Sequence, residues 1–204
     1  MNRVFIVGAC QESRTVANLL MEKNPLVDIE VLVERGRGEV GSSFHGLHVK
    51  GYAEVLAELP VTGSLVFADV DPTSRVASVG HMLAAREQQR AWPVKTVRAT
   101  TAAIAASAKI GNGSIVFPGA VIMDGAEIGS YVMIGPGAII GAEAKVSDFA
   151  TLQAGSILGM KSYIGKGGIC GLGAVVSSSR RVGAWSQVLD GFHVRKDLPP
   201  GKSS

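Results

Sequence analysis

From Ile104 onward an aliphatic side chain returns every sixth residue without a slip. The series runs through Ile110, Val116, Ile122, Ile128, Ile134, Ile140, Val146, Leu152, Leu158, Ile164, Cys170, Val176, Val182 and Val188, and Cys170 is its sole non-aliphatic member. The residue four further on is small almost throughout, as at Ala108, Ser114, Ala120, Ala126, Ala138 and Ala144, with Val132, Arg180 and Phe192 the exceptions. Glycine often follows the aliphatic residue directly, as at Gly111, Gly129, Gly141, Gly159 and Gly171. Such a period fits neither an α-helix nor a lone alternating strand. It fits a hexapeptide solenoid, in which each hexad is one short strand plus a turn and three hexads close a triangular coil of about 18 residues. The aliphatic residue then fills the prism, and the small one fits beside the corner, where a larger side chain is overpacked. The pattern predicts a parallel β-helix of roughly five coils.

Ahead of the lattice the patterning changes. Arg3 to Gly8 reads as a buried strand, Ser13 to Lys23 as an amphipathic helix and Asp28 to Glu34 as a second strand. A Gly-rich polar loop spans Arg35 to Gly46. Tyr52 to Leu59 reads as helical, Ser64 to Asp69 as a third strand, and Ser74 to Arg90 as a helix capped by Ser74. This alternation predicts a small α/β, Rossmann-like domain with a short parallel sheet and a ligand at the strand C-termini. Trp92 and Pro93 mark the boundary, so the expected division is 1–92, 93–190 and a C-terminal tail, 191–204.

Composition narrows the function. With 204 residues, 47% hydrophobic and 18% charged, the chain buries a core. A net charge of +3 without basic runs interleaved with aromatics argues against a nucleic-acid partner. No apolar run reaches membrane-spanning length, and Met1 leads straight into a strand-like stretch. Two cysteines then read as reduced thiols of a cytoplasmic protein.

Residues one coil apart stack at the strand spacing of about 4.8 Å. Lys109, Glu127 and Lys145 therefore form an alternating-sign column, Glu143 pairs with Lys161, and Asp148 with Lys166. One outer face, with Lys109, Glu127, Lys145, Tyr163 and Arg181, is expected to be solvated. A second exposes Ile115, Phe117, Met133, Thr151, Gln153 and Ile169, and a third Val121, Met123, Ile139, Ile157 and Val175. Two apolar outer faces are too much for a monomer's surface, which predicts an oligomer.

These hexads resemble the hexapeptide-repeat acyltransferases of the sialic acid O-acetyltransferase and UDP-amino-sugar N-acetyltransferase family. So do the Gly8-Ala9 turn, Ala68-Asp69 followed by Arg75, and the segment Arg195-Lys196-Asp197-Leu198-Pro199-Pro200-Gly201. The resemblance implies a left-handed β-helix, a homotrimer, acetyl-CoA as co-substrate, no metal, and a nucleotide-linked amino sugar or sialic-acid-like glycan precursor as acceptor. It places substrate at Gly8, Ala9, Asp69 and Arg75, and the acyl-CoA at Gly159, Met160, Gly171 and Lys196. The family's glycine whose N–H faces the acyl carbonyl lies in the stretch Leu158 to Gly165, where Met160 keeps a backbone donor.

Departures are specific. The turn continues Cys10-Gln11-Glu12 in place of a second glycine and a histidine, and Glu12 adds a charge that repels phosphate. Relatives continue past the Pro-Pro-Gly segment into a stretch that helps hold coenzyme A, whereas this sequence runs to Ser204, so a shortened acyl-CoA clamp is expected. The family's histidine base corresponds to Ala142, in the stretch Ile140 to Ser147. No histidine occurs between His81 and His193, which argues against the zinc carbonic anhydrases built on similar coils. Asp124 stacks between Ala106 and Ala142 with no lysine one coil away. An unpartnered carboxylate beside an apolar face is desolvated and so poised as a base, with Glu143 as neighbour. Asp124-Gly125 is equally a common turn pair. The expected function is acyl-CoA-dependent acyl transfer to a sugar; the alternative is a catalytically impaired or non-catalytic binding relative, because Ala142 replaces the base.

Overall fold

The computed structural model describes residues 3–33, 41–51, 63–87 and 93–204. The chain divides into two compact units, Met1–Val97 and Arg98–Ser204.

The first unit is a small α/β arrangement. Its elements are β1 (Arg3–Val7), α1 (Gln11–Lys23), β2 (Asp28–Val33), β3 (Ser43–Phe44), β4 (Leu47–Gly51), β5 (Ser64–Phe67) and α2 (Pro72–Glu87). The sheet order is β3-β4-β2-β1-β5. β1 pairs in parallel with β2 and β5, and β4 in parallel with β2. Val4 to Val7 are buried because the central strand has neighbours on both edges and packing on both faces. α1 contributes Val16, Ala17, Leu19 and Leu20 to that core.

Two expectations change here. The loop expected over Arg35 to Gly46 contains β3, which turns back antiparallel onto β4 through His45 (φ 50) and Gly46 (φ 82). Two successive left-handed residues make a tight hairpin turn, and a His-Gly pair signals it less plainly than Asn-Gly. α2 begins at Pro72 rather than Ser74, and its cap is Asp71, whose Oδ1 accepts the Thr73 N–H at 3.0 Å. The Ser74 hydroxyl donates to the same carboxylate at 3.0 Å, so Ser74 supports the cap instead of forming it. Partial burial works against the Asp71 charge, but the bonds from Thr73 and Ser74 outweigh it and hold the carboxyl below its ordinary value. The helix expected over Tyr52 to Leu59 lies outside the described residues.

The second unit is a parallel β-solenoid of the left-handed type. Its two-residue strands stack into three sheets of six, five and six. Sheet one runs from Ala103–Ile104 to His193–Val194, sheet two from Lys109–Ile110 to Arg181–Val182, and sheet three from Val97–Arg98 to Gln187–Val188. Three strands make a coil, so the stack is just short of six coils, against the roughly five expected. The difference lies at the ends, where Val97–Arg98 precedes the aliphatic series and Val194 extends it beyond Val188. The inward residues from Val116 to Val194 form one continuous buried core, while Ile104 and Ile110, at the open end, are only partly covered.

Glycine takes two distinct roles in the corners. The glycine directly after an inward residue lies where consecutive coils touch: a Cβ on Gly135 would sit 2.8 Å from Ala154 N and 2.8 Å from Leu152 O. Two positions later the chain turns through left-handed φ at every corner from Gly113 to Gly191, a position that also holds Tyr131, Glu143, Phe149, Lys161, Ser179 and Trp185. That residue's N–H donates back to the preceding coil, as Tyr131 does to Asn112 O at 2.9 Å and Lys161 to Ala142 O at 2.9 Å. The gain from this bond offsets a left-handed cost of about 1–2 kcal/mol per non-glycine residue.

The charge columns hold in two of three cases. Glu127 lies 3.5 Å from Lys109 and 2.9 Å from Lys145, and Lys145 followed by Lys109 draws its carboxyl below the ordinary value. Glu143 lies 3.7 Å from Lys161. Asp148 instead accepts the Ser130 N–H at 2.8 Å, and Lys166 stands 5.7 Å over the Phe149 ring, because a corner N–H is nearer than the lysine.

The exposure expected of the second outer face is also corrected. Ile115, Phe117, Met133 and Thr151 are buried within the single chain, with Gln153 and Ile169 partly so. Stacking in columns fixes which side chains point outward, not which of them stay exposed. On the third face Val121, Ile139, Ile157 and Val175 are half-buried and Met123 is 47% exposed, leaving one apolar strip.

Beyond Val194 the chain winds on in parallel as an irregular further turn against the last coil. Leu198 bridges Val182, Ser203 bridges Gln187, and Gly183 N–H donates to Leu198 O at 2.7 Å.

Alanine substitution separates the two glycine roles within one turn. Gly137 (φ +64) has nothing within 4 Å of a Cβ, so Gly137→Ala is expected to cost about 1 kcal/mol of backbone strain. Gly135→Ala is expected to cost on the order of 3 kcal/mol by overpacking backbone against backbone. Denaturant midpoints of the two variants, compared with wild type, check the ranking.

Candidate active site

A corner of this solenoid uses its backbone groups in a fixed way. After inward Ile140, Gly141 N–H donates to Leu158 O (2.8 Å), Glu143 N–H to Asp124 O (2.9 Å) and Ala144 N–H to Gly141 O (3.1 Å). The N–H two residues after the inward position has no backbone acceptor. At some corners it is disposed of: Pro118 and Pro136 occupy this position without an N–H, and Asp148 and Asp190 accept from Ser130 and Leu172 at 2.8 Å, whereas at Asn112, Ala154, Lys166 and Ala184 it stays open as well. Along the edge between sheets one and two the position holds Asp124, Ala142, Met160 and Ser178. Among the described residues, the Ala142 and Met160 N–H groups have no acceptor within the chain. This edge therefore presents outward-facing donors beside Gly141 and Gly159, which supply no side chain to cover them.

The expected donor sites fall in different places. The Gly159 N–H is engaged by Val176 O at 2.8 Å, so the available donor is the next residue, Met160, whose side chain is 51% exposed. The Gly171 N–H is engaged by Val188 O at 2.8 Å, and Gly171 lies on the edge between sheets three and one, apart from Gly159 and Met160. Lys196 is exposed at the end of the solenoid, on the rim of a cavity of about 380 Å³ whose walls are Phe192, Val194 and Leu198.

The acids differ from expectation too. Asp124 is exposed, and its Oδ1 accepts from the Ser107 hydroxyl at 3.0 Å, while that hydroxyl in turn accepts the Gly125 N–H at 3.0 Å. The premise of a desolvated, unpartnered carboxylate is thus overturned: the partner is a serine one coil away, and charge columns count only lysines. Glu143, exposed on the same edge at φ 58, keeps its lysine.

His193, which bounds the histidine-free stretch of the solenoid, is exposed. The structure places it at the end of the Val121, Ile139, Ile157 and Val175 column, with Nε2 2.9 Å from Ser177 Oγ. Arg195 Nε donates to its Nδ1 at 3.4 Å. No sequence spacing advertises this, because Ser177 and His193 are 16 residues apart rather than a coil's length.

In the first unit, Gly8 (φ +106) ends β1 and Asp69 follows β5; a Cβ on Gly8 would sit 3.5 Å from that of Asp69. Gly8 N–H is engaged by Leu32 O at 2.9 Å, and the Ser13 hydroxyl donates to Gly8 O. Ala9 is exposed at the tip of the turn. The Cys10 thiol donates to Ala68 O at 3.1 Å, and burial pushes its pKa up. Arg75 is not an open anion contact. It is fully buried, its Nη1 donating to Asp69 O and to Val70 O at 2.8 Å. Burial pulls its pKa down to about 10 against the opposing carboxylates of Asp69 and Asp71. Arg75 therefore holds the turn that presents Asp69.

Residues 107–142 match the model of the bacterial transferase hexapeptide family (six repeats). No curated protein matches the chain in sequence. Solved structures share its fold over its whole length. A histidine-to-asparagine mutant of perosamine N-acetyltransferase from Caulobacter crescentus, in complex with CoA and GDP-perosamine, superposes with a TM-score of 0.88 at 22% identity, covering 100% of this chain and 93% of that one. The acetyltransferase domain of PglB from Neisseria gonorrhoeae FA1090, in complex with acetyl coenzyme A, gives 0.86 at 22% identity, covering 100% and 96%. WeeI from Acinetobacter baumannii AYE gives 0.72 at 16% identity, covering 100% and 96%.

Thiol reactivity tests the burial of both cysteines. Raised pKa values leave little thiolate near pH 8, and Cys170, pushed up to about 12 by burial in the solenoid core, has less than Cys10. A disulfide reagent at that pH is expected to modify Cys10 slowly and Cys170 only after unfolding. A fast native phase that survives Cys10→Ser contradicts this placement. Arg75→Ala is expected to cost about 2 kcal/mol, since hydrogen bonds from a charged donor are worth ~1.5–3 kcal/mol, and its thermal melt reports the loss.

Proposed function

We propose that this chain is an acetyl-CoA-dependent acyltransferase acting on the amino group of a nucleotide-linked sugar. In this reading it is a cytoplasmic homotrimer, the solenoid carries the acyl donor, and the first unit serves as a Rossmann-like domain for the sugar. The reading takes the unengaged Met160 N–H beside Gly159, one of several such open corner donors, as the oxyanion donor. It is joined to a fold shared over the full chain with proteins that bind CoA and a nucleotide-linked amino sugar.

Acyl transfer needs a donor for the oxyanion and an acceptor for the amine's proton. The amine nitrogen attacks the thioester carbonyl carbon, and the developing oxyanion accepts the Met160 N–H. The C–S bond then breaks, and the thiolate leaves with the amine's proton passing to a base. Asp124 supplies that base in this reading: its carboxylate stands one coil from Ala142, with Ser107 on Oδ1 and Glu143 adjoining. Gly141 and Gly159 leave the edge narrow enough for the thioester to reach the backbone. Lys196 faces the phosphates of CoA, and Gly8, Ala9 and Asp69 border the sugar, with Arg75 holding Asp69 in place.

One observation favours the second reading, a binding relative without turnover. Ala142 offers no proton acceptor, and Glu143 is tied to Lys161.

Calorimetry with acetyl-CoA and a panel of nucleotide sugars decides between acyltransferase and unrelated binding protein; absence of both interactions removes the proposal. The strip of Val121, Ile139, Ile157 and Val175 is expected to be covered in a trimer, and light scattering showing a stable monomer at micromolar concentration rejects that assembly. Asp124→Asn is expected to lower kcat about a hundredfold, the usual effect of a lost base, with acetyl-CoA affinity unchanged. Ala142→His in that background is expected to restore turnover, and an active Asp124→Asn enzyme with an unaltered pH profile rules Asp124 out.

A further inference from the structure

Resting on the acyl-thioester reading, we infer that Ser177, oriented by His193 and Arg195, binds the amide carbonyl nearest the thioester in the donor's arm. Three observations lead there. The first is direction. Arg195 Nε, which can only donate, points at His193 Nδ1 (3.4 Å), so that nitrogen is the acceptor and the imidazole carries its hydrogen on Nε2. Nε2–H then donates to Ser177 Oγ at 2.9 Å, and the serine's own hydrogen is left to point at a ligand. The relay Arg195 to His193 to Ser177 ends in a single outward donor, which matches a carbonyl oxygen.

The second is spacing. Ser177 follows Val176 as Gly159 follows Leu158, and these inward residues pair directly across sheet one. Ser177 therefore lies one coil, about 4.8 Å, beyond Gly159, and Met160 follows Gly159 in the chain. In an S-(2-amidoethyl) thioester the amide carbonyl carbon lies about 6 Å from the thioester carbonyl carbon by ordinary bond lengths. A thioester oxygen on Met160 N–H thus sets the first amide oxygen within reach of Ser177.

Continuation is the third. His193 and Arg195 also line the cavity at the end of the solenoid, so the rest of the arm leaves the edge along open space. Ser177 is half-buried while His193 and Arg195 are exposed, which leaves the cluster open to a ligand. Ser177 is a binding residue in this scheme, and His193 is a positioning residue that acts through it.

The test is calorimetric affinity for acetyl-CoA together with competition by two short donors: S-acetyl-N-acetylcysteamine, which keeps the amide, and S-acetyl-pentanethiol, a hydrocarbon counterpart. One hydrogen bond to a carbonyl is worth about tenfold in affinity. Ser177→Ala and His193→Ala are expected to weaken acetyl-CoA about tenfold. His193→Gln, whose amide N–H replaces Nε2–H, is expected to restore it. Wild type is expected to prefer the amide-bearing short donor, and Ser177→Ala to lose that preference. Unchanged acetyl-CoA affinity in Ser177→Ala, or an equal loss for both short donors, overturns the assignment while leaving the acyltransferase reading intact. Failure of wild type to bind acetyl-CoA overturns that reading and this one together. Circular dichroism of each variant confirms that the solenoid is retained.

Discussion

Each corner of the solenoid brings two coils into backbone contact while its polar groups still have to find partners, and the rest of the second unit follows from this. The inward aliphatic residue supplies apolar burial, but it does so only if consecutive coils approach at strand spacing. That approach crowds the position after the inward residue, which is glycine at 111, 129, 135, 141, 159, 165, 171 and 183, while Phe117, Gln153 and Ser177 are accommodated at others. It also forces the chain through left-handed φ two residues later, where even Tyr131, Phe149 and Trp185 are accepted because their N–H groups bond to the coil before. The packing at these turns reflects it: Tyr131 and Phe149 stack with ring centroids 5.1 Å apart.

The same geometry creates the candidate site. A corner satisfies every backbone N–H but one, and the position of that one is constant. Where the position is proline or faces an aspartate, the corner is inert. At Ala142 and Met160, as at Asn112, Ala154, Lys166 and Ala184, neither holds, so open donors are a by-product of the coil and need no dedicated loop. Side chains then decide what the donors can do. Met160 narrows the space beside its own N–H, Asp124 brings a carboxylate one coil away, and Ser177 carries a donor relay toward the end of the stack.

In the first unit, function is likewise set by how polar groups are satisfied. Gly8 N–H and the Arg75 guanidinium both read from the sequence as ligand contacts, and both are engaged by backbone carbonyls. What the strand C-termini present instead is Ala9 at the turn tip and the carboxylates of Asp69 and Asp71. The cost of burying Arg75 is met by the carbonyls it holds, so its charge serves the shape of the turn.

The sequence by itself determined the solenoid, its register and its inward residues, because a period of six repeated over the whole second half is met by stacked coils of three short strands, although the period leaves the hand of the coil open. It also determined the columns of Glu127 and Glu143, since strand spacing converts sequence separation directly into distance. Tertiary structure alone decided which outer residues are covered, that Asp124 has Ser107 as partner, that Asp148 caps an N–H in place of pairing with Lys166, and that His193 meets Ser177. The reason is common to all four. Inward positions are dictated by packing, which repeats with the lattice, whereas outward side chains choose among several partners within a few ångströms, and that choice depends on rotamers and on chain segments the repeat does not encode.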